Sequence, residues 1–289
     1  MKDYLVRGIV ESKNCRIFAC TTTNLTEKAR LAHGTWPTAT AALGRMMSAT
    51  LMMGSMNKNN EKMTITINGG GPIGTMMTVT KGDGKIKGFV AKPDVHYTYN
   101  DTGKLAVGFA VGKEGMLQVV KDMGLKEPFT GSTPLQSGEI GDDFTYYFAA
   151  SEQTPSVVSL GVLVNDTNEV LASGGFIIQL LPSATEEDIT YIENKMKDFP
   201  TISTLLHEGK TPEEIIESIF DDVKFFETQD LDFVCDCSRE QMSKALMTVG
   251  KSELQAMIDE DHGCQTHCHF CNTKYEFNEA QLKALIEEI

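Results

Sequence analysis

The sequence predicts an α+β protein made of an N-terminal antiparallel-sheet core domain with helices, a helical linker and a small C-terminal zinc-binding module. Residues 1–182 contain short strand-forming runs followed by helices, without the strand–helix repeats of a parallel sheet. Beyond Pro182 the chain changes to short acidic helices and then to two close cysteine pairs. A chain of 289 residues is longer than a single hydrophobic core usually supports. Together with the changes in composition, this length predicts three parts, 1–182, 183–230 and 231–289.

Strands and helices of the core domain follow from β-branched runs, turn residues and apolar periodicity. The predicted strands are Tyr4–Val10, Cys15–Cys20, Met63–Asn68, Gly74–Thr80, Lys85–Ala91, Leu117–Asp122, Val157–Val164 and Glu169–Leu180. The segments 11–14 and 165–168 are predicted hairpin turns. One helix is expected from about Thr38 to Met56, after Pro37, and a second from Asp142 to Gln153.

Methionine is concentrated in the predicted core domain, which holds 11 of the 15 in the chain. The predicted helix Thr38–Met56 is apolar nearly all round and carries five of them, which predicts that it is buried. Flexible thioether side chains suit irregular cores, and they also suit surfaces that accept many partners. The sequence leaves both interpretations open.

The linker and the module are predicted to consist largely of short helices, which need packing against another element to persist. The predicted helices are Ala184–Lys197, Ile202–His207, Thr211–Phe220, Ser238–Val249, Ser252–Glu260 and Asn278–Ile289. Residues 183–230 contain 13 Asp and Glu against 4 Lys and Arg, so their own charges oppose compaction. We therefore expect the linker to bury its apolar residues against a partner: Ile189, Ile192, Leu205, Leu206, Ile215, Ile216 and Phe220.

The most informative motif is the Cys-x-Cys pair Cys235 and Cys237 followed by the Cys-x-x-Cys pair Cys268 and Cys271. Two close thiol pairs brought together by a hairpin can supply the four sulfurs that Zn²⁺ prefers in tetrahedral array. Without metal, the same spacing lets each pair close into a local disulfide, Cys235 with Cys237 and Cys268 with Cys271. The cluster can therefore be a structural staple or a redox trigger.

The other cysteines, the histidines near the second pair and one glycine-rich segment are not predicted to form functional sites. Cys264, His262, His267 and His269 flank the second pair and are expected to lie outside an all-sulfur site. Four sulfur ligands would leave no position for water or substrate, so no catalytic residue is predicted. Cys15 and Cys20 are expected to be buried apolar side chains. The glycine-rich segment 69–74 lacks the Lys-Ser/Thr of a phosphate loop and is predicted to be a tight turn.

Composition and charge predict the cellular compartment of the protein and exclude some classes of partner. Seven cysteines, an odd number, argue for a reducing cytosol rather than a secreted disulfide scaffold. Neither a signal peptide nor a transmembrane helix is expected, and no membrane partner. Residues 183–289 hold 9 Lys and Arg against 24 Asp and Glu, a poor surface for nucleic acid.

Three other functions of the cysteine cluster remain open: a nucleic-acid-binding zinc ribbon, a purely structural zinc staple and a thiol oxidoreductase. A thiol oxidoreductase would place its Cys-x-x-Cys pair at a helix N-terminus. In this sequence a loop is predicted before the Cys-x-x-Cys pair.

Motifs along the whole chain resemble those of the redox-regulated heat-shock chaperonin family of about 33 kilodaltons, a family of bacterial holdases. The resemblance rests on segments 33–45, 71–74, 146–156, 174–182, 235–240 and 268–272. The last two contain the family's Cys-x-Cys and Cys-x-x-Cys pairs. Cys264 is additional to that pattern, which bears on whether oxidation gives a single set of disulfides.

The resemblance implies a core, a linker folded over it and a zinc module, and it implies that the reduced, zinc-bound protein is inactive. It further implies that oxidation of Cys235, Cys237, Cys268 and Cys271 expels the single Zn²⁺ and unfolds the module and linker. The activated chain, a homodimer, would then bind unfolding client proteins without ATP. It would later pass them to ATP-dependent foldase chaperones.

Overall fold

A computed structural model describes residues 2–57 and 61–289, which form two compact units divided between Val234 and Cys235. The first unit contains two six-stranded sheets. Its strands are β1 (Tyr4–Val10), β2 (Cys15–Thr21), β3 (Lys62–Asn68), β4 (Met76–Thr80), β5 (Lys85–Val90), β6 (Met116–Asp122), β7 (Phe129–Pro134), β8 (Ser156–Val164), β9 (Val170–Leu180), β10 (Val223–Phe225), β11 (Gln229–Asp230) and β12 (Asp232–Phe233).

Sheet A has the order β10-β1-β2-β9-β8, and β11 also pairs with β1. Sheet B has the order β12-β5-β4-β3-β6-β7. All neighbouring strands are antiparallel except β12 and β5, which are parallel. The predicted antiparallel α+β class is confirmed, and so are the eight predicted strands, within one or two residues at their ends.

The described residues of the first unit form seven α-helices: α1 (Thr23–His33), α2 (Pro37–Gly54), α3 (Val107–Val111), α4 (Gly141–Ala150), α5 (Glu186–Met196), α6 (Ile202–His207) and α7 (Pro212–Glu217). Helix α2 begins at Pro37, as the missing N–H of proline allows, and 16 of its 18 residues are buried. Its methionines Met46, Met47, Met52 and Met53 lie in the core with strands of both sheets. These methionines therefore act as core packing.

Each face of sheet A is covered, and successive residues of a strand point to opposite faces. On β2, Phe18 and Cys20 join the core around α2, whereas Ile17 and Ala19 join a second core. The second core is completed by linker residues, among them Ile192 and Ile216. The linker helices thus close the outer face of the sheet.

Burial of the linker agrees with expectation. Ile192, Leu205, Leu206, Ile215, Ile216 and Phe220 are buried, and Ile189 is half-buried. The linker also contributes β10 and β11 to the edge of sheet A, strands that the sequence did not predict. Leu231 packs in the core of the first unit, and β12 extends sheet B. The division at 182 and 230 stays a prediction.

The second unit contains helices α8 (Arg239–Met247), α9 (Lys251–Asp261) and α10 (Glu279–Glu288) and the hairpin of β13 (Gly263–His267) with β14 (Lys274–Asn278). Ser238 and Asn278 accept hydrogen bonds from backbone N–H groups in the first turns of α8 and α10. Six buried residues form its core: Leu246, Leu254, Ile258, Phe277, Leu282 and Leu285.

Some sequence predictions need correction. The loop predicted before Cys268 is wrong, because Gly263–His267 forms β13 through backbone pairing with β14, which its polar side chains do not signal. The helix predicted to Gln153 ends at Ala150, and Gln153 has a left-handed backbone. Helix α1 and the proline-containing edge strand β7 were not predicted.

The glycine-rich segment 69–74 is a turn, as predicted, and its packing explains the glycines. A Cβ atom at Gly69 would lie 2.2 Å from the carbonyl oxygen of Gly112, which leaves no room for a side chain. Among the described residues, none of the helices combines the length and the apolar character needed to cross a membrane.

Candidate metal centre

The four cysteines predicted as ligands meet in the second unit. Cys235 and Cys237 lie in the segment that leads into α8, and Cys268 and Cys271 lie in the turn between β13 and β14. Their four sulfur atoms all lie within 4.8 Å of one another. Cys268 is 4% exposed and the other three are half-buried. The structure thus brings together side chains 33 and 34 positions apart in the chain.

The hairpin turn fixes the second pair through backbone hydrogen bonds. The N–H of Cys268 donates to the carbonyl of Thr273 at 3.0 Å, and the N–H groups of Cys271 and Asn272 both donate to the carbonyl of Cys268. Asn272 has a φ of 55°, a left-handed conformation that asparagine tolerates and that reverses the chain here. The Cys-x-x-Cys pair is therefore presented by a tight turn rather than by a helix N-terminus.

Arg239, the first residue of α8, connects the Cys-x-Cys segment to the hairpin. Its guanidinium lies 4.5 Å from the ring centroid of Phe277 and donates hydrogen bonds to the Glu276 carbonyl and to Gln281 Oε1. Because Ser238 caps the same helix, the residues directly after Cys237 are held firmly against β14. No sequence pattern predicted this contact.

The sulfur separations fit a tetrahedral metal. Cys235 Sγ lies 3.7 Å from Cys268 Sγ, and Cys237 Sγ lies 3.5 Å from Cys271 Sγ. Four sulfurs at about 2.3 Å from a central Zn²⁺ would lie about 3.8 Å apart. Neither Cys264 nor a histidine belongs to this group. Cys264 packs against the core of the second unit, and His262 Nδ1 lies 2.9 Å from Glu279 Oε1.

Two hydroxyl groups contact the cluster, and neither was predicted. Tyr275 Oη lies 3.1 Å from Cys237 Sγ, and Thr273 Oγ1 lies 3.2 Å from Cys271 Sγ. Tyr275 lies in β14, whereas Cys271 and Thr273 lie in the turn before it, where Asn272 has a left-handed backbone. The strand period therefore does not place the three side chains on one face, and no sequence signal predicted these contacts.

Cys235, Cys268 and Cys271 differ in the acidity of their thiols. Burial raises the pKa of Cys235 and of Cys268. Burial also acts to raise the pKa of Cys271, but hydrogen bonds from the side chain and backbone of Thr273 and from neighbouring thiols lower it to about 7. The hydrogen bond to Cys237, followed by burial, raises the pKa of Tyr275 to about 12. Cys271 is thus the most acidic of the three thiols with shifted pKa values.

Cys15 and Cys20 are buried in the first unit, as expected. Burial raises the pKa of Cys15 to about 12 and also raises that of Cys20. Since the thiolate is the nucleophilic form, these two sulfurs are unreactive in the folded protein. All seven cysteines are free thiols in the structure.

Comparison with known proteins gives consistent results. A family model described as "Hsp33 protein" matches residues 3–278. The 33 kDa chaperonin of Staphylococcus carnosus is 50% identical, over 100% of this chain and 99% of that protein. The 33 kDa chaperonin of Shouchella clausii is 52% identical, over 100% of this chain and 98% of that protein.

The fold is also similar to that of a solved structure, the 33 kDa chaperonin (heat shock protein 33 homolog) of Thermotoga maritima. The TM-score is 0.93 and the sequence identity is 34%, and the match covers 100% of this chain and 99% of the other. The mixed antiparallel architecture and the helices described above are therefore shared over the full length of both chains.

Proposed function

This chain belongs to the Hsp33 family, whose relatives are named chaperonins, and from that premise we propose that it is a redox-regulated, ATP-independent holdase. The observation that carries the redox part is the cluster of Cys235, Cys237, Cys268 and Cys271, with sulfur separations that suit Zn²⁺. When bound, zinc would cross-link the segment before α8 to the β13–β14 hairpin and hold the sulfurs as thiolates.

The size of the second unit supports a folding switch. Structural zinc contributes about 10–16 kcal/mol to small metal modules, whereas a whole domain is typically stable by about 5–15 kcal/mol. The core of residues 235–289 contains six buried apolar residues. A unit of this size should therefore lose its fold when its ligands are oxidised.

The proposed chemistry balances with peroxide as the oxidant. A pair of cysteine thiolates gives two electrons to one hydrogen peroxide, which takes up two protons from solvent and becomes two water molecules while one disulfide forms. Two such reactions convert the four sulfurs into two disulfides and leave no thiolate donor for the metal. We propose the pairs Cys235–Cys237 and Cys268–Cys271.

The linker would transmit this change to the client-binding surface. Its helices cover the outer face of sheet A through residues such as Ile192, Leu206 and Ile216. Its net negative charge opposes compaction, so it depends on that packing. Release would expose an apolar surface of the kind that binds unfolded chains. We propose that the activated form is a homodimer and passes its clients to ATP-dependent foldases.

We propose the cytoplasm as the compartment, because seven cysteines, an odd number that includes two pairs with metal-site spacing, are typical of a reducing environment. The turn position of Cys268 and Cys271 supports a metal site over a thiol oxidoreductase site, which would place the pair at a helix N-terminus. The charge of −14 supports protein clients over nucleic acid.

The deciding experiment measures aggregation of a thermally unfolding client by light scattering, with reduced and with peroxide-treated protein and without ATP. We expect suppression by the oxidised protein, and loss of that suppression after reduction before the client is added. Equal suppression by both forms would contradict redox control, and suppression by neither would contradict a holdase. Light scattering from the activated chain alone tests the homodimer.

A further inference from the structure

Strand β8 ends sheet A, and its sequence is unusual for an edge. The order β10-β1-β2-β9-β8 gives it a partner on one side, β9. Its nine residues, SVVSLGVLV, contain neither charge nor proline. Soluble proteins usually protect an edge strand with lysine, proline, short length or a covering element, because unpaired backbone groups attract other strands.

The phase of the ladder shows which backbone groups of β8 face away from β9. The N–H of Leu180 donates to the carbonyl of Pro155 at 3.0 Å, so Pro155 occupies a position that is hydrogen-bonded to β9. In an antiparallel pair every second residue occupies such a position, and residues 157, 159, 161 and 163 therefore point their backbone groups at β9. The N–H and C=O groups of Val158, Leu160 and Val162 therefore point to the open side. Across the described parts of the chain, no hydrogen bond reaches the outward groups of Leu160 or Val162.

One end of this edge is blocked, and the other borders a cavity, where Leu160 is half-buried and Val162 is 7% exposed. At Val158 the first residue of α4 approaches closely, since a Cβ atom at Gly141 would lie 3.3 Å from the Val158 carbonyl oxygen. Beyond that point, residues 160–166 line a cavity of about 920 Å³. Its other walls include Arg45, Glu139 and the turn 102–104. The volume lies within the range of about 300–1,000 Å³ that is usual for ligand sites.

The chemistry of this edge selects an extended polypeptide. Leu160 and Val162 offer two N–H donors and two C=O acceptors, spaced by two strand residues, or about 6.8 Å. Only a strand presents complementary groups at that repeat, and apolar neighbours favour apolar residues on it. The charges lining the cavity are mixed, with Arg45 and Lys104 against Glu139 and Asp166, so they favour neither acidic nor basic segments.

We propose that the open edge of β8 binds an extended apolar segment of an unfolding client as an added antiparallel or parallel strand. This inference rests on the proposed holdase function and specifies how the client is held: by backbone pairing as well as by apolar contact. Backbone hydrogen bonds do not depend on the identity of the side chains, so this mode of binding suits a protein that must accept many sequences.

Helix α6 of the linker partly covers this edge. Thr201, Ser203 and Thr204 line the cavity. A Cβ atom at Gly161 would lie 2.6 Å from the backbone nitrogen of Ser203, so α6 lies directly against the glycine in β8. Release of the linker would therefore widen access to Leu160 and Val162. The edge is then fully accessible in the activated form and restricted in the reduced form.

The first test uses full-length activated protein and a fluorescein-labelled ten-residue peptide of alternating valine and threonine. A second peptide of identical sequence carries N-methyl groups on all ten residues, which removes its hydrogen-bond donors along both edges and keeps its side chains. We expect methylation to weaken binding at least tenfold in fluorescence anisotropy. A change of less than twofold would overturn backbone pairing.

The second test places proline at an outward-facing position. Leu160→Pro removes one N–H on the open side and leaves the β9 ladder intact, which edge strands tolerate. Leu160→Ala is the matched control, since it shortens the side chain and keeps the N–H. We expect the proline variant to bind the unmethylated peptide at least tenfold more weakly than the alanine variant. Equal binding by the two variants would overturn the proposal.

A cross-linking measurement decides the matter if Leu160→Pro does not fold. A photoreactive benzoylphenylalanine replaces Thr102, which lines the cavity, or Lys126, an exposed residue outside its lining. We expect the peptide to cross-link at position 102 at least fivefold more than at position 126. Equal labelling would overturn the proposal.

The aggregation assay, run on the same samples, separates the two proposals. If activated protein suppresses client aggregation but binds both peptides equally, the edge proposal fails and the holdase function stands. If it suppresses no aggregation, the proposed function itself fails. If Leu160→Pro abolishes self-association while peptide binding is unchanged, the edge joins two copies of this chain, and the client proposal is overturned.

Discussion

The hydroxyl group of Tyr275 lies 3.1 Å from the sulfur of Cys237, so one ligand of the proposed zinc site accepts a hydrogen bond from the strand that follows the second cysteine pair. A hydrogen bond withdraws electron density from a thiolate and lowers its nucleophilicity. Thr273 has the same relation to Cys271. The hairpin therefore supplies two sulfurs and also two donors that restrain the reaction of the sulfurs with oxidant.

Tyr275→Phe should release zinc faster under peroxide. The Cys237 thiolate would lose a hydrogen-bond donor and become more nucleophilic, so we expect release about threefold faster than from the unaltered chain. A chromophoric zinc chelator measures the release rate. Tyr97→Phe, a change in the first unit, is the control and should react like the unaltered chain. An unchanged or slower rate for Tyr275→Phe would show that this hydroxyl does not restrain Cys237.

Metal analysis of the reduced protein should give about one zinc per chain. Cys271→Ser should lose most of this metal and, with it, amide protection in β13 and β14, because zinc contributes much of the stability of such a unit. Cys264→Ser is the matched control in the same hairpin and should keep the metal. Zinc loss in the Cys264 variant, or its retention in the Cys271 variant, would refute the all-sulfur assignment.

The disulfide pairing reports whether oxidation precedes or follows unfolding. In the folded unit Cys235 lies 3.7 Å from Cys268, and Cys237 lies 3.5 Å from Cys271, so oxidation in place could join those partners. We expect peptide mapping after peroxide and mild heating to give Cys235–Cys237 and Cys268–Cys271 instead, because chain neighbours meet fastest once the metal leaves and no longer holds the four sulfurs together. The small Cys-x-Cys ring should be reduced more readily. Predominant cross-pairing, or capture of Cys264, would contradict this order of events.

Ile216→Asp should free the linker while zinc is bound. Ile216 is 0% exposed in the core beneath the linker, and an unpaired carboxylate there should cost about 4 kcal/mol. We expect holdase activity in the reduced state, with hydrogen exchange showing 183–230 unprotected and 1–182 protected. Ser218→Asp adds the same charge at an exposed position and should stay inactive. A loosened linker without aggregation suppression would show that it does not gate the binding surface.

Acid should weaken the attachment of the linker at Asp188. The carboxylate accepts hydrogen bonds from the Thr185 N–H at 2.9 Å and from Asn14 Nδ2 at 3.0 Å, and these hold its pKa below the usual value. A depressed folded-state pKa gives stability above the unfolded pKa of about 3.9, and this is lost as pH falls through the folded value.

The stability difference between the unaltered chain and Asp188→Asn should therefore be constant from pH 7 to about 5 and shrink as the pH falls below about 4. Urea unfolding followed by circular dichroism measures it. Asp198→Asn, at an exposed position of the same segment, should show no such trend. A difference that grows with acid would mean that the ionised carboxylate does not secure the linker.

Much of the fold was predictable because its signals are local. The hairpin of β1 and β2, helix α2 after Pro37 and the capped helix after Ser238 each follow from residues within a few positions of one another. The strands β10 to β13 were not predictable in the same way. Gln229 becomes strand because the distant strand β1 offers a partner edge. Thr266 pairs with Tyr275 across a local hairpin, but the polar run that contains it carries no alternation that would predict a strand.

Part of the candidate metal site was likewise predictable from local sequence, and part of it was not. The spacing of Cys235, Cys237, Cys268 and Cys271 was sufficient to nominate four sulfur ligands and to leave Cys264 aside. The contacts of Tyr275 and Arg239 emerged from the structure, because they depend on how β14 and α8 approach the sulfurs.

The sequence by itself determined the antiparallel α+β class, the cysteine set and the need of an acidic linker for a partner, since composition and local spacing encode each of these. The tertiary structure decided what the linker covers, which hydroxyl groups contact the sulfurs and where sheet A remains open. Those features depend on contacts between segments far apart in the chain: Ile216 against sheet A, Tyr275 beside Cys237, and Leu160 at an edge without a second partner. Pairing and packing at such distances arise from shape and backbone geometry, which no short window of residues contains.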